Sequence, residues 1–550
     1  MERSLAKILP SLSRFRRDQD GSLTIMALFF FICMIMIGGL SVDIMVFENN
    51  RTRLQSLTDR AVLAAADMEQ SGDPEGVVRS YFEKAGLADK LDAIQVQNGL
   101  LTRSVSVQTS NPMRTMFMNM TGVTQMTPRA SATAAEGQGD LEIALVLDVS
   151  NSMNNPSSVP GIPTKLDDMK GAAKRFVDIV FAQSENDSIT ITLVPYNTQV
   201  NAGKSILTAL NVPQVHDYSH CAEFSSGDYG TLSLSAGGQY DQAAHFDQWY
   251  SSEDPVVNVC RTGANQQIKL HQSNPDVIKT QLDALSAHGN TSSEIGLKWA
   301  AGFLDPASRP VTAALAAAGE VAPNMANRPL DYGTGNSQKV IVLLTDGINT
   351  DQKRIRPEYM SGESPVWRIF ADQSLDFYAA RIKEVGDQDG DGFQNEQFWI
   401  KGGTYMGVTW PDQFSSAPLP PFLASIFNTT LDPVRLSWSE LWAEMNPRHY
   451  AYAYIADATE NTADGDAFLN EIWANVSGPE KDDRLLQTCN GLRDAGVAVY
   501  TIGFEINDHA KDIMGRCASN ANTFVNVVGD DLEDKFVSIA TSITKLRLTQ

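Results

Sequence analysis

No charged residue occurs between Gly21 and Val42. The core of that stretch, Leu23 to Leu40, is nearly all Ile, Leu, Met, Phe and Gly. In lipid, a backbone must satisfy its own N–H and C=O groups, so a run of this kind is restricted to a helix. About 20 apolar residues cross the hydrocarbon, and residues 21–42 suit one span. A buried core helix and a cleavable secretory signal are the alternatives. The run is long for a signal, and no small-x-small cleavage site follows it cleanly. Arg3, Lys7, Arg14, Arg16 and Arg17 precede the span. Residues 1–20 thus form a basic segment, and the excess of Lys and Arg assigns it to the cytoplasm. Everything after Asp43 is expected outside the cytoplasm.

The helical pattern continues past the span. Phe47, Leu54, Leu57, Ala61, Ala64 and Met68 recur at steps of three, four and seven, an apolar stripe on one helical face. That stripe predicts a helical extension over 43–70, packed on the following domain or on a partner helix. Gly39-Leu-Ser-Val-Asp-Ile44, followed by Arg53-Leu-Gln-Ser-Leu-Thr-Asp-Arg-Ala-Val-Leu-Ala-Ala-Ala66, resembles the N-terminal region of TadE/TadG-type proteins of the tight-adherence (Flp) pilus assembly system of bacteria. The resemblance covers roughly residues 15–70. It implies a pilin-like helix, an inner-membrane anchor and a periplasmic main domain. Pilin-like substrates of prepilin peptidase usually carry Glu five places after the cleaved glycine. After Gly21 that place is Met26, so a retained anchor is expected.

Residues 71–137 predict a small α+β unit. Val77 to Ala85 reads as helix, Ile94–Gln97 and Ser104–Thr109 alternate as strands do, Met113 to Met120 reads as a short helix, and a further strand runs near Met126 to Ala134. Ala135-Glu-Gly-Gln-Gly139 reads as a linker.

A second domain, 140–550, opens with the apolar run Leu141-Glu-Ile-Ala-Leu-Val-Leu147, a strand buried on both faces. It ends in Asp148-Val-Ser-Asn-Ser152. Lys339-Val-Ile-Val-Leu-Leu-Thr345 is a second such strand and ends in Asp346-Gly347. Helical patterns over Lys165–Phe181, Asp276–Leu285, Glu294–Leu304, Arg484–Ala495 and Asp531–Leu546 alternate with strands at Ser188–Val194 and Val497–Phe504. That alternation predicts a mostly parallel sheet covered on both sides, which places ligands at the carboxyl ends of its strands. Carboxylates and hydroxyls are hard oxygen donors of the kind Mg²⁺, Mn²⁺ or Ca²⁺ prefers.

Asp148-x-Ser150-x-Ser152, then Thr291, then Asp346-Gly347 resembles the metal-ion-dependent adhesion site of von Willebrand factor A domains. The resemblance implies a doubly wound, mostly parallel, Rossmann-like α/β fold with two large insertions, at about 200–285 and 350–483. It implies that Ser150, Ser152 and Thr291 bind the ion directly. Asp148 and Asp346 would hold it mainly through water, leaving a place for an acidic residue of a protein partner.

A second candidate loop, Asp387-Gln-Asp-Gly-Asp-Gly392, resembles the start of a calcium loop of EF-hand or dockerin type. Asp387, Asp389, Asp391 and Asn395 are its candidate Ca²⁺ ligands, although the twelfth place holds Phe398 rather than an acid. Four of the five cysteines fall on the outer side, where oxidising conditions permit bridges. Three pairings are possible, with four free thiols as the alternative. Cys221 with Cys260 and Cys489 with Cys517 each join neighbours within one region.

A net charge of -23 opposes nucleic-acid binding. The chain holds no phosphate-binding Gly-x4-Gly-Lys-Ser/Thr loop, no Gly-x-Ser-x-Gly elbow and no His-Glu-x-x-His pair. The expectation is a non-enzymatic, single-pass adhesion or assembly component of a Flp pilus system, in contact with pilin or other pilus assembly components. The alternatives are a metal-dependent hydrolase using the same oxygens, with His288 the histidine adjacent to the motif, and a surface adhesin unrelated to pili.

Overall fold

In the computed structural model, residues 20–67, 73–98, 102–137, 140–182, 188–333, 337–372, 375–383, 393–405, 408–427, 433–529 and 531–543 are described. The chain divides into two compact units, with the boundary between Gly139 and Asp140.

The first unit is built on helix α1, Asp20–Ala66. Its 47 residues correspond to about 70 Å at 1.5 Å per residue. The apolar part is exposed along nearly its whole length, as Phe29, Phe30, Ile37 and Met45 illustrate. It is long and apolar enough to cross a membrane. The second part is amphipathic. Leu54, Thr58, Ala61, Val62 and Ala65 are buried against Val105 and Val107 of β2 (Thr102–Ser110), Ala130 and Ala134 of β3 (Arg129–Gly137), and Val78 and Phe82 of α2 (Pro74–Lys84). The stripe therefore packs on its own unit, with β1 (Leu91–Asn98) completing an antiparallel sheet in the order β1-β2-β3.

The helix expected from Met113 to Met120 does not form. Met113–Arg114 pairs with Gln125–Met126, and the loop between them holds one 3-10 turn, Met118–Thr121, stopped by Gly122 at φ 91°. The Asp43 side chain of α1 accepts the amide N–H groups of Met116, Phe117 and Met118, which pins the loop to α1 instead of letting it coil independently.

The second unit centres on a six-stranded sheet. Its strands are β4 (Asp140–Asp148), β5 (Ile189–Tyr196), β6 (Lys269–Gln272), β7 (Ser337–Thr345), β13 (Ala498–Phe504) and β14 (Phe524–Val527). The spatial order is β6-β5-β4-β7-β13-β14; all neighbours are parallel except β6, an antiparallel edge.

Both faces are covered, which explains the unbroken apolar runs. Leu141, Ile143, Leu145 and Leu147 of β4 point to one core, shared with α3 (Lys165–Ala182), α4 (Pro275–Ala284) and α8 (Leu532–Ile543). Ala144 and Val146 point to the other, with α5 (Ser293–Leu304), α6 (Gly478–Asp494) and α7 (Asp508–Cys517). The charge that interrupts β4, Glu142, is fully buried and lies in register with Lys339 of β7; these two form an ion pair, and Arg328 adds a second contact at 3.2 Å.

Residues 269–284, which the sequence reading assigns to the first insertion, belong to the sheet layer instead: β6 is its edge strand and α4 packs on α3. The four-residue β6 is too short for its periodicity to stand out. The remainder of that insertion carries the Cys221–Cys260 disulfide and packs Phe224 against Trp299 of α5 at 5.2 Å. Cys489 and Cys517 join α6 to α7.

The second insertion folds as a separate antiparallel sheet. Its strands are β8 (Glu363–Asp372), β9 (Leu375–Lys383), β10 (Phe393–Ile400), β11 (Gln413–Ser415) and β12 (Val434–Ser437), ordered β11-β10-β9-β8-β12. Its aromatic residues form a core around Trp399, Trp442, Tyr450 and Tyr454, to which Ala244, Phe246 and Val259 of the first insertion also contribute. The Asp387, Asp389, Asp391 and Asn395 side chains of the candidate calcium loop lie outside the described residues.

Candidate functional site: the carboxyl ends of β4 and β7

Strands β4 and β7 are neighbours, but the chain leaves β4 for β5 on one side and β7 for β13 on the other. At such a switch the loops diverge and open a crevice above the strand ends. Asp148 ends β4, and Asp346 follows β7 one residue beyond Thr345. The register that sets Leu147 opposite Leu344 brings these ends level.

The side chains form one connected chain of oxygens. Asp148 Oδ1 accepts the amide N–H of Ser150 at 2.8 Å, and Asp148 Oδ2 accepts the Thr345 hydroxyl at 2.8 Å. The Ser150 and Ser152 hydroxyls are 3.0 Å apart, and Ser152 donates to Asp346 Oδ1 at 2.6 Å. Thr291 is held beside them by the loop after β7: its carbonyl accepts the Thr350 amide at 3.1 Å. Its hydroxyl lies 3.8 Å from where a Cβ on Gly347 would stand. The five residues singled out in the sequence, Asp148, Ser150, Ser152, Thr291 and Asp346, therefore meet at one place. Asp148 and Ser150 are fully buried, while Ser152 is partly open.

Burial raises the Asp148 carboxyl to about 7, with the charge of Asp346 adding to the effect. Burial also raises Asp346, partly offset by Ser152 and Lys165. Two carboxylates share a dry site with too little positive charge.

The sequence reading missed three participants. Lys165, at the start of α3, is a buried cation with Nζ 3.5 Å from Asp346 Oδ2 and 3.1 Å from Glu505 Oε2. Glu505 also accepts a hydrogen bond from Ser158. Burial opposes its ionisation, but Ser158 and Lys165 outweigh burial and hold its carboxyl below the ordinary range. Thr345 is the third. A signal for Glu505 existed: like Asp148 and Asp346, it is a carboxylate directly after an apolar strand. It adopts a left-handed backbone at φ 55°, which non-glycine residues seldom do.

His288 does not face this cluster. It is buried, its Nε2 lies 2.8 Å from Asn197 Nδ2, and its Nδ1 lies 3.4 Å from Gln266 Nε2. Burial lowers it to about 4. Among the described residues, no group of three or more His, Cys, Asp or Glu side chains is placed to hold a metal ion; the site here is hydroxyl-rich, with two carboxylates.

No curated protein matches the chain. Among solved structures it is similar to the pilus adhesin SpaC from Lactobacillus rhamnosus GG, at 12% identity and TM-score 0.28, covering 82% of this chain and 34% of that one. It therefore spans about a third of SpaC's length. The vWF domain of the type V pili tip protein Mfa5 from Porphyromonas gingivalis gives 14% identity and TM-score 0.31 over 75% of this chain and 98% of that one. The adhesive tip pilin GBS104 from Group B Streptococcus agalactiae gives 14% and 0.32 over 73% and 99%. Similarity at this level leaves the fold to be argued from strand order. Residues 21–68 match the family model described as Putative Flp pilus-assembly TadE/G-like.

Proposed function

We propose that this protein is a membrane-anchored adhesion or assembly component of a Flp pilus system. Its second unit would be a von Willebrand factor A-type domain that grips a protein partner through a divalent cation. The pilus assignment rests on the family match over residues 21–68 and on the apolar helix. In this reading the helix crosses the inner membrane with the basic N-terminus in the cytoplasm, and the folded units are periplasmic. The order β6-β5-β4-β7-β13-β14, with helices on both faces, supports a doubly wound sheet.

The observation that carries the metal reading is the convergence of three hydroxyls and two carboxylates at one strand switch. The donor set is all hard oxygen, and the one lysine that reaches the carboxylates, Lys165, is shared between Asp346 and Glu505. Asp148, Ser150, Ser152, Thr291 and Asp346 would hold Mg²⁺, Mn²⁺ or Ca²⁺, which would supply an electrophilic position for a partner's carboxylate. The protein's own residues do the rest. Thr345 and the Ser150 amide orient Asp148, Ser152 orients Asp346, and Glu505 gives Lys165 a second anion. His288, the histidine nominated for the hydrolase alternative, is committed to Asn197 and Gln266 and is not free to act as its general base, which favours binding over hydrolysis.

The test is thermal unfolding of the full chain in detergent, with EDTA or with millimolar Mg²⁺, Mn²⁺ or Ca²⁺. At least one ion should raise the midpoint, and Asp148→Ala and Thr291→Ala should each abolish that rise while remaining folded. An unfolding midpoint indifferent to all three ions sinks the metal reading. It leaves the pilus reading to co-purification with pilus components.

A further inference from the structure

The loop between β2 and β3, residues 111–128, carries more exposed apolar surface than a solvated turn requires. Five of the chain's 18 methionines fall within it: Met113, Met116, Met118, Met120 and Met126. Met116 is 76% exposed, Met120 66% and Val123 39%. The loop contains no acidic residue and one basic residue, Arg114.

Its position on α1 is fixed by two contacts. Asp43, 2% exposed, accepts three of its amides, at 3.0, 2.8 and 2.7 Å from Met116, Phe117 and Met118. The Phe117 ring lies so close to Gly39 that any Cβ at position 39 would collide with it. Gly39 is inside the charge-free run and one helical turn, about 6 Å, before Asp43. The neighbouring helix surface at the same level is also apolar and exposed: Leu40, Val42, Ile44, Met45 and Val46.

We propose that residues 115–123 form a finger inserted at the boundary between headgroups and acyl chains of the bilayer that α1 spans, with Met116, Met120 and Val123 against lipid. The proposal rests on the reading of α1 as a membrane span. Continuity of the apolar surface names the occupant: the span's own lipid surrounds Gly39, and Phe117 sits on Gly39. Asp43 fits the same place. A carboxylate at the edge of the hydrocarbon is costly when bare, and here three N–H donors cover it while satisfying amides that lipid cannot. Methionine is apolar and adaptable and suits a disordered acyl boundary. A finger of this kind fixes the rotation of the small unit about its anchor, because it adds a second point of membrane contact beside the helix.

The experiment uses the full chain in a Cys33→Ala background, reconstituted in phosphatidylethanolamine–phosphatidylglycerol vesicles. Single cysteines at Met116→Cys, Met120→Cys, Phe30→Cys and Glu83→Cys carry an environment-sensitive fluorophore. Nitroxide lipids labelled near the headgroup or deep in the chain serve as quenchers, with iodide as the aqueous quencher. Probes at 116 and 120 should lose most of their emission to the shallow label and little to iodide. The probe at 30 should respond to the deep label, and that at 83 to iodide alone. If 30 is quenched by lipid while 116 and 120 are reached by iodide, the finger is refuted and the anchor stands. If 116 and 120 escape both quenchers, protein covers them, and the lipid assignment is equally overturned. If 30 itself escapes the deep label, the membrane reading has failed.

Discussion

Glu142 offers the sharpest test of how the sheet is held together at the end opposite the oxygen cluster. It is 0% exposed, accepts a charged hydrogen bond from Lys339, lies 3.2 Å from Arg328 Nη1 and accepts the Leu330 amide at 2.9 Å. Glu142→Gln keeps the shape but removes the charge. Lys339, 4% exposed, and Arg328, 7% exposed, then stay buried with less compensation; Arg328 keeps Asp140, whereas Lys339 keeps the face of the Tyr332 ring at 5.3 Å. Breaking a buried ion pair from one side costs about 3–5 kcal/mol, against a typical total of about 5–15 kcal/mol. Replacing both partners with apolar residues is often neutral, so Glu142→Leu with Lys339→Met should recover part of the loss. Urea unfolding of the full chain in detergent, followed by tryptophan fluorescence, measures both. A Glu142→Gln loss under about 1 kcal/mol, the size of an exposed pair, would refute the argument that burial makes this pair structural. Ion-dependent stabilisation, if present, should survive, because Glu142 and Asp148 lie at opposite ends of β4.

Lys298 is buried with Nζ 2.7 Å from the Thr231 carbonyl, and burial lowers it to about 8. Its folded value lies below its unfolded one, so between about pH 8 and 10.5 the unfolded chain binds more protons and stability rises with pH; Lys298→Met should flatten that rise in urea titrations. Cys489→Ser opens a bridge spanning 28 residues and should cost about 3 kcal/mol; an unchanged midpoint under non-reducing conditions would mean the bridge does not form. Gly296 of α5 lies where a Cβ would stand 2.7 Å from the Tyr196 ring and 3.0 Å from Val146. Gly296→Leu should therefore destabilise by about 1–3 kcal/mol through overpacking, despite the better helix propensity of leucine, and a stabilised variant would contradict the close packing of α5.

The sequence by itself determined what local periodicity and local chemistry can carry. A charge-free run leaves the backbone one solution in lipid, so α1 was legible. Apolar runs covered on both faces made β4 and β7 legible, and a carboxylate at the end of each pointed to the crevice. Thr291 was legible only through the resemblance to the adhesion-site motif, where it stands between the Asp-x-Ser-x-Ser and Asp-Gly elements, and not through periodicity. Tertiary structure alone decided which distant groups meet. The register of β4 on β7 pairs Glu142 with Lys339, whereas each residue alone reads as an oddity in an apolar strand. Lys165 reaches Asp346 and Glu505 only because α3 begins and β13 ends over the same crevice. β6 is too short to show a period and became a sheet strand because an edge of β5 was free to pair. The turn at Met118–Thr121 replaced an expected helix because Asp43, more than seventy residues earlier in the chain, captured its amides. Burial patterns are written along the chain at a spacing of two or 3.6 residues, but strand order, register and long-range charge pairing depend on how the elements close on each other, and no window of sequence contains both partners.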